Sequence, residues 1–385
     1  MALVTPQGDS VQQEYAQSAL DDEALKQHEL PVTAVLGAGH GGLALAGYVA
    51  QAGATVHLWN RTLAPIQAVI ALGGIRLDDT LVRPARVSAS IAQVLDGAAV
   101  VVVAVPANNH RELARSCAPY LTDGQVILLA PGRTGGALEF RRELMQAGCT
   151  ADVIVGETQT SPLASRMTGP GMTKILGVKS HVTVAALPAS RTAELLERCL
   201  PLLPMLTPAA SVLETSFGSM AAIMHPVITL LNASRIEDGM HSFRFYSEGI
   251  TPAVVKMMLA VDAERVAIAA AYGIATPGLE DWLRAAFGQE EQDLARLLAA
   301  IPAYQEMPAP TGFRHRYLEE DVPAGLVPLA ELGAVAGIPC PALDSLISQA
   351  SVLNDCDYRA EGRNLAALGL DGLNPAAIRR VALQG

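Results

Sequence analysis

Three glycines at a fixed spacing form the most chemically specific pattern in the chain. Gly37, Gly39 and Gly42 follow a short apolar run at 32–37 and open a segment with helical spacing at 40–52. The first glycine permits a tight turn, the second lets the backbone approach a pyrophosphate, and the third allows close helix–strand packing. The free N–H groups of the helix N-terminus then attract phosphate oxygens. We therefore predict a dinucleotide-binding loop comprising Gly37, Gly39, His40, Gly41 and Gly42, with a ligand-free glycine turn as the alternative.

The end of the second expected strand, at 54–59, bears on the choice of dinucleotide. NAD-binding proteins usually place Asp or Glu there to bind the ribose hydroxyls, whereas this chain has Asn60, Arg61 and Thr62. Arg61 could pair with a 2′-phosphate, and Asn60 and Thr62 could add hydrogen bonds. We therefore favour NADP(H) and keep NAD(H) as the alternative, because Arg61 could also be an ordinary exposed loop residue. Pro106 follows the third strand, where loops line the ligand crevice of a doubly wound sheet.

The composition excludes several other classes of function. Lys and Arg total 27 and Asp and Glu total 38, so the net charge is −11. General nucleic-acid binders and proteins that bind anionic membranes need a basic surface. The most apolar run, 98–107, is about half as long as a membrane-spanning helix requires. The five cysteines lack zinc-ligand spacing, and the N-terminus lacks a signal-peptide pattern. We expect a cytoplasmic protein with no metal site and no nucleic-acid or membrane partner.

The periodic segments predict two domains of different kinds. Apolar runs at 32–37, 54–59, 100–105, 126–130, 153–156, 174–178 and 182–187 indicate strands, separated by helical patterns that are typical of a parallel sheet. Residues 200–208 contain three prolines and are typical of a linker, and the segments beyond are helical. We predict a polar extension at 1–30, a dinucleotide-binding α/β Rossmann domain at 31–205 and an all-α domain at 206–385. The helical candidates are 211–224, 226–234, 252–272, 278–287, 289–300, 324–336 and 341–353.

Several segments together resemble the octopine/nopaline (opine) dehydrogenase family. They are the glycine loop at 37–42, Gly-Glu-Thr at 156–158, the His-Pro segment at 224–232 and the Arg-Tyr-x-x-Glu-Asp-x-Pro segment within 314–323. The resemblance covers about residues 32–360 in the same order. It implies an active site in the cleft between a Rossmann domain and a helical domain. It also implies reductive condensation of an amino acid's amine with an α-keto acid such as pyruvate, and the reverse reaction, with a reduced nicotinamide cofactor.

The resemblance assigns roles to three residues of the expected helical domain. His225 is the acid/base candidate, because imidazole titrates near neutral pH. Since Pro226 suits the first turn of a helix, we expect His225 at a helix start. Asp321 is its candidate partner, which would fix the imidazole tautomer. Arg316 resembles the family's clamp for a substrate carboxylate, which a guanidinium can bind with two hydrogen bonds. Without the resemblance, His225 would be a structural residue and 314–323 an exposed loop.

The resemblance also assigns two residues, Glu157 and Thr158, to the pocket for the amino acid, and Trp282 of the expected helical domain is a further candidate. Thr158 could hydrogen-bond a substrate carboxylate, and Glu157 could receive a cationic amine or side chain or be structural. Trp282 could wall the pocket, although a core position is the alternative because tryptophan is usually largely buried.

Two other functions remain open at this stage. An NADP-dependent keto-acid reductase of the ketopantoate reductase type would need no amine and would use a lysine, for which Lys256 is available in the helical domain. A non-catalytic NADPH-binding sensor would retain its function without His225. Helical domains with exposed apolar faces often pair, so a homodimer is one expectation for the oligomeric state.

Overall fold

The computed structural model describes residues 30–239 and 242–385. The polar extension predicted at 1–30 lies almost entirely outside these residues. Among the residues described, no helix is both long and apolar enough to cross a bilayer.

The first domain is built on an eight-stranded sheet whose central strands are parallel. Its order is β12-β11-β8-β7-β6-β1-β2-β5. The β6 strand is Val-Val-Val-Val and is buried on both faces, which is typical of a parallel strand covered by helices on both sides. Parallel pairing places the carboxyl ends of β1, β2, β6, β7 and β8 at one edge of the sheet. The strands are β1 (Thr33–Leu36), β2 (Val56–Trp59), β5 (Arg86–Ser88), β6 (Val100–Val103), β7 (Val126–Leu129), β8 (Ile154–Thr158), β11 (Val182–Leu187) and β12 (Leu206–Pro208).

Three features of the sheet region differ from the sequence-based expectation. The strand at 182–187, β11, joins the main sheet but runs antiparallel to β8. The segment at 174–178 belongs to a separate four-stranded sheet, of order β4-β3-β10-β9, instead of the main parallel sheet. Also, the proline-rich segment expected as a linker contains β12, which pairs with β11, so the main sheet extends to Pro208. The strands of the second sheet are β3 (Ile75–Leu77), β4 (Thr80–Val82), β9 (Leu163–Gly169) and β10 (Met172–Val178).

The helices of the first domain cover the sheet and follow its strands in sequence. The helix after the glycine loop, α1, has a buried apolar face that includes Leu43, Leu45 and Val49. The helices are α1 (His40–Gln51), α2 (Leu63–Leu72), α3 (Ile91–Leu95), α4 (His110–Cys117), α5 (Gly136–Gln146) and α6 (Thr192–Cys199).

The second domain is helical, as the sequence predicts. One of its turns is a π-helix, Val322–Leu326. The longest helix, α10, begins with a Thr251 side chain that accepts a hydrogen bond from the Val254 N–H. The helices are α7 (Val212–Phe217), α8 (Ala221–Leu231), α9 (Ala233–Asp238), α10 (Pro252–Ala271), α11 (Leu279–Phe287), α12 (Leu294–Ala300), α13 (Pro302–Gln305), α14 (Arg316–Glu319), α15 (Val327–Val335), α16 (Pro341–Leu353), α17 (Tyr358–Glu361), α18 (Leu365–Leu368) and α19 (Pro375–Gln384).

The expected helix start at Pro226 is wrong. Pro226 lies inside α8, so His225 is an interior helical residue. A proline in a helix removes one backbone hydrogen bond and crowds the carbonyl four residues earlier. Nearly all of α8 is buried, so we infer that tertiary packing compensates for this local cost. His225 therefore projects from the middle of a packed helix, which restricts its movement.

A buried ion pair joins the segment between α17 and α18 of the second domain to the first domain. The Arg363 Nε lies 2.6 Å from Glu139 Oε2 on α5, and both side chains are almost fully buried. Arg363 also donates to the carbonyl of Gly132 at 2.7 Å. These contacts hold the two domains against each other beside the carboxyl edge of the sheet.

Candidate active site

The glycine loop has the geometry that a dinucleotide phosphate requires. Gly37 has a φ of +126°, and a Cβ there would lie 2.8 Å from the carbonyl oxygen of Ala104. A Cβ at Gly42 would lie 1.9 Å from the Gly37 carbonyl oxygen. A Cβ at Gly39 or Gly41 would meet no atom within 4 Å, so the loop has open space above it. The backbone at Gly39 can therefore be approached closely by a pyrophosphate at the start of α1.

The residues after β2 form one wall of a neighbouring cleft. The Asn60 side chain accepts from the Ala38 N–H at 3.0 Å and donates to the Thr62 hydroxyl at 3.0 Å. Asn60 therefore braces the glycine loop, and Thr62 holds the Asn60 amide in place. The cleft has a volume of about 290 Å³ and lies between the ends of β2 and β6. Its lining includes Trp59, Asn60, Arg61, Thr62, Pro106 and Glu112.

The charge in this cleft differs from the sequence-based expectation in one respect. Arg61 is already paired, because its Nη1 lies 2.7 Å from Glu112 Oε2 on α4. The side chains of Arg61 and Glu112 are 61% and 66% exposed, so water screens the pair and a ligand can replace either partner. The cleft thus presents both a cation and a carboxylate.

His225 and Asp321 lie in direct contact at the domain boundary. His225 Nδ1 is 2.6 Å from Asp321 Oδ2, and the Asp321 side chain is fully buried. An ionised carboxylate can only accept, so Nδ1 carries the proton and donates to Asp321. Burial lowers the pKa of His225, although Asp321 acts in the opposite direction. The resting imidazole is therefore neutral, with its lone pair on Nε2.

Tyr246 occupies the other side of the imidazole. Its hydroxyl lies 2.6 Å from His225 Nε2 and donates to the lone pair there. Burial raises the pKa of Tyr246 well above its usual value, so the hydroxyl stays protonated. The ring of Tyr317 stacks on His225 with a centroid distance of 4.1 Å. The imidazole is thus fixed on both edges and on one face.

Close packing of the π-helical turn, Val322–Leu326, against α8 brings Asp321 to His225. A Cβ at Gly325 would lie 2.5 Å from the Cβ of Ala222 on α8. Glycine therefore lets the π-helical turn that follows Asp321 lie directly on α8. The Ala324 carbonyl accepts from the Thr134 N–H at 3.1 Å, which ties the same turn to the loop after β7.

Arg133, in the loop after β7, forms ion pairs with two carboxylates of the second domain. Its Nη1 lies 3.0 Å from Asp321 Oδ1 and its Nε 3.1 Å from Glu320 Oε1. All three side chains are almost fully buried. Burial alone would raise the pKa of Glu320, but the charges of Arg133 and Arg316 lower it to about 2. Glu320 also accepts from the Ala107 N–H at 3.2 Å.

Arg316 lies at the open side of this cluster. Its Nε is 3.4 Å from Glu320 Oε2, and its side chain is 52% exposed. Its charge contributes, after burial, to the lowered pKa of both His40 and His225. The guanidinium therefore lies within electrostatic range of both the glycine loop and the imidazole, where it could receive an anion.

Thr158 and Glu157 are fully buried, and their side chains are hydrogen-bonded within the protein. The Thr158 hydroxyl contacts two carbonyl oxygens, of Thr160 at 2.8 Å and Leu129 at 3.3 Å, so its one proton is committed to the backbone. Both Glu157 oxygens are occupied, one by the hydroxyls of Thr215 and Ser216 and the other by the Ala137 N–H. Burial raises the pKa of Glu157 to about 7. These contacts favour the structural alternative for Glu157.

Trp282 borders a separate cavity of about 170 Å³. The ring is 9% exposed. Most of the lining is uncharged, although Glu214 and His181 contribute titratable groups. Lys256, the lysine that a ketopantoate-type reductase would need, lies exposed on α10. The cavity is lined by Gln159, His181, Thr183, Glu214, Gly218, Ala275, Thr276, Pro277, Trp282, Ala285 and Ala286.

Arg133, Glu320, Tyr246 and Tyr317 are site residues that the sequence alone did not identify. The sequence alone indicates no role for the loop that contains Arg133 or for the segment that contains Tyr246. Glu320 and Tyr317 lie inside the segment that carries the family resemblance, so their positions offered a signal. Arg133 contacts Glu320 across 187 residues of sequence, a pairing that no local pattern indicates.

Comparisons with known proteins agree with this architecture. Residues 208–354 match the family model described as NAD/NADP octopine/nopaline dehydrogenase, alpha-helical domain. Residues 32–154 match the NAD-dependent glycerol-3-phosphate dehydrogenase N-terminus. An opine dehydrogenase from Arthrobacter sp. (strain 1C) is 38% identical over 350 residues, which cover 90% of this chain and 97% of that protein.

Two solved structures share the fold. An octopine dehydrogenase in complex with NADH and agmatine has a TM-score of 0.75 at 24% identity, covering 90% of this chain and 97% of the other. A yersinopine dehydrogenase with bound NADP+ has a TM-score of 0.68 at 17% identity, covering 92% and 98%. With the family model and the Arthrobacter relative, these matches identify the chain as a member of the opine dehydrogenase family, nicotinamide-dependent oxidoreductases that act on CH–NH bonds.

Proposed function

We propose that the protein uses NADPH to condense the amine of an amino acid with an α-keto acid such as pyruvate, and that it also catalyses the reverse reaction. The observation that carries this proposal is the contact of His225 with Asp321 and Tyr246, beside an exposed Arg316. That arrangement offers a neutral base, a proton donor and a carboxylate-binding cation at one place. Pyruvate is the keto acid named in one structure of an octopine dehydrogenase.

The residues of the site suit the proton transfers of imine formation. An amine attacks a carbonyl only when unprotonated, and the resulting hydroxyl leaves as water after it gains a proton. Neutral His225 can accept the first proton at Nε2 and return it for the second. Asp321 stabilises the imidazolium that exists between these steps. Because Tyr246 occupies Nε2, the proton passes through its hydroxyl or the hydroxyl moves aside.

Arg316 and the nucleotide cleft would position the remaining groups. Arg316 is the proposed clamp for the keto-acid carboxylate, since a guanidinium binds a carboxylate with two parallel hydrogen bonds. The cofactor, when bound, supplies the hydride that reduces the imine carbon. Gly39 and the start of α1 would hold its pyrophosphate, and Arg61 would bind the 2′-phosphate that distinguishes NADPH. Glu112 competes for Arg61, which makes the preference for NADPH over NADH moderate.

The cavity beside Trp282 is the proposed site for the amino-acid side chain. Its walls include Trp282, Pro277 and three alanines, which favour an uncharged side chain. Glu157, which the family resemblance offered for a cationic group, has no exposed surface. The homodimer and the cytoplasmic location stay predictions from the sequence.

The experiment that tests this function is NADPH oxidation by purified protein with a panel of keto acids, with and without apolar and cationic amino acids. Oxidation that requires both organic substrates is the expected result. Oxidation with a keto acid alone, unchanged by amines, would instead identify a ketopantoate-type reductase. His225→Asn should abolish oxidation while leaving NADPH binding intact, and NADH measured in parallel tests the assignment of Arg61.

A further inference from the structure

One half-buried cation beside the candidate active site, Lys179, differs from the buried guanidinium groups of the molecule. The guanidinium groups buried in the interior contact carboxylates, which compensate their charge. Lys179 contacts only uncharged oxygens: its Nζ donates to the Ser161 carbonyl at 2.6 Å and to the Thr160 hydroxyl at 3.2 Å. Within residues 30–239 and 242–385, no carboxylate lies within 4.0 Å of this ammonium. The compensated guanidinium groups are Arg133, Arg265 and Arg363.

Lys179 lies at the carboxyl edge of the sheet, where the site is. It follows β10, and its two partners lie in the loop after β8. That loop is tied to the Arg133 loop, because the Thr158 carbonyl accepts from the Gly132 N–H at 3.1 Å. Burial and then the charge of Arg133 lower the pKa of Lys179 to about 8. The amine therefore remains mainly protonated at neutral pH.

The residues next to Lys179 and Thr160 in sequence line the cavity that contains Trp282. They are His181, two residues after Lys179, and Gln159, directly before Thr160. The ammonium is thus close in the chain to the wall of the proposed amine pocket. An ammonium has three protons, and two of them are used by Thr160 and Ser161. Within the described residues, no protein atom accepts the third.

The product of the proposed reaction carries two carboxylates, one from each organic substrate, and each needs a partner when it leaves water. Arg316 can serve one of them. Arg133 cannot serve the other, because Asp321 and Glu320 already neutralise it. We propose that Lys179 binds the carboxylate of the amino-acid substrate, while Arg316 binds that of the keto acid. This assignment rests on the proposed function and identifies a substrate-binding residue that the family resemblance did not indicate.

The test compares an amino acid with the amine that lacks its carboxylate. The amino acid is the one with the highest turnover in the panel, and its partner is the corresponding decarboxylated amine. Both are measured with the wild-type protein, Lys179→Met, Lys179→Arg and Lys174→Met. Lys174 is the matched control, because it is an exposed lysine on β10. For each variant, kcat/KM is determined with the amino acid or the amine varied at saturating keto acid and NADPH, and the KM of the keto acid is determined at saturating amino acid and NADPH.

The expected result is a selective loss. Hydrogen bonds to charged groups contribute enough that Lys179→Met should lower kcat/KM for the amino acid by roughly 10- to 100-fold. Activity with the decarboxylated amine should change by less than about threefold, so the variant loses the preference for a carboxylate. Lys179→Arg should restore part of that preference, and Lys174→Met should behave like the wild type.

Three results would overturn the proposal. An equal loss with the amino acid and the amine would show that Lys179 supports the loop structurally. A loss confined to the KM of the keto acid would assign the ammonium to the other carboxylate. If the amine gives no measurable turnover, the Kd values of the amino acid for wild type and Lys179→Met in the presence of NADPH decide the question, and equal values contradict the proposal. An absence of amine-dependent oxidation in the wild-type protein would instead refute the proposed function itself.

Discussion

Two of the arginine–carboxylate clusters at the carboxyl edge of the sheet differ mainly in their exposure to water. In the inner cluster, Arg133 contacts Asp321 and Glu320, with every side chain at most 5% exposed. In the outer pair, Arg61 and Glu112 are both more than half exposed. A buried ion pair is costly to break because it leaves an uncompensated charge, whereas an exposed pair contributes little. The inner cluster is therefore suited to holding a catalytic group, and the outer pair to exchanging partners with a ligand.

The largest expected effect comes from breaking the inner cluster at Asp321. Asp321→Asn keeps the shape but removes the charge that holds the proton on His225 Nδ1 and stabilises the imidazolium. We expect kcat to fall by at least about 10³-fold, because loss of the aspartate in a comparable triad has an effect of that order. The measurement is kcat at saturating substrates. Asp371→Asn, a change at an exposed aspartate, is the control, and a kcat for Asp321→Asn within threefold of wild type would contradict the assignment.

The difference in burial predicts a large difference in stability. Arg133→Met leaves two buried carboxylates without their main cation, and we expect a loss of about 3–5 kcal/mol of unfolding free energy. Arg61→Met in the outer pair should cost less than about 1 kcal/mol. Urea unfolding can be followed by the fluorescence of Trp59 and Trp282, the two tryptophans of the chain, one in each domain. Equal losses in the two variants would show that burial does not distinguish the clusters.

The same variant should change the response to acid. The folded pKa of Glu320 is about 2, below its value near 4.3 in an unfolded chain. A group with a depressed pKa stabilises the fold above the unfolded value and loses that contribution as the pH falls towards the folded value. Arg133→Met raises the folded pKa, so the loss of stability between about pH 4.3 and pH 2 should become smaller. A pH series of the unfolding measurement tests this.

Tyr246 lies at the edge of the inner cluster and tests whether its hydroxyl takes part in proton transfer. Tyr246→Phe should lower kcat by roughly tenfold, within the range typical of an acid/base contribution. It should also raise the pKa of His225, because the hydroxyl donates to Nε2 and so stabilises the neutral imidazole. The acidic limb of the pH profile of kcat should therefore move to higher pH. Tyr120→Phe, at an exposed tyrosine, is the control, and an unshifted limb would restrict Tyr246 to packing.

The two clusters also differ in how far the sequence alone could predict them. The glycine loop and Arg61 can be predicted locally, because each comes directly after a short apolar run that indicates a strand. His225, Asp321 and Arg316 were identified by a resemblance, and the contact of His225 with Asp321 joins segments that are 96 residues apart in the second domain. Arg133 contacts Asp321 and Glu320 across the two domains, so no local pattern could reveal its partners.

The errors of the fold prediction have a similar origin. Pro226 favours a helix start locally, but the packing of α8 overrides that preference. The segment at 174–178 has the composition of a strand, and its own sequence does not specify which sheet it joins. Its partners are β9, the strand directly before it in the chain, and β3, about 100 residues earlier. Strand existence was therefore predictable, while the second sheet was not.

The smallest expected effect concerns the outer pair. In Glu112→Gln, Arg61 loses its carboxylate partner and becomes free to bind a 2′-phosphate, and the cleft loses an acceptor for the ribose hydroxyl of NADH. We expect the ratio of kcat/KM for NADPH to that for NADH to rise by roughly two- to fivefold, since an exposed pair contributes at most about 1 kcal/mol. Arg61→Met should lower the same ratio, and Glu197→Gln, at an exposed glutamate, should leave it unchanged. If Glu112→Gln lowers the ratio, Glu112 positions Arg61 for the phosphate instead of competing with it. The outer pair would then resemble the inner cluster, in which a carboxylate fixes its arginine, and exposure alone would no longer separate the two.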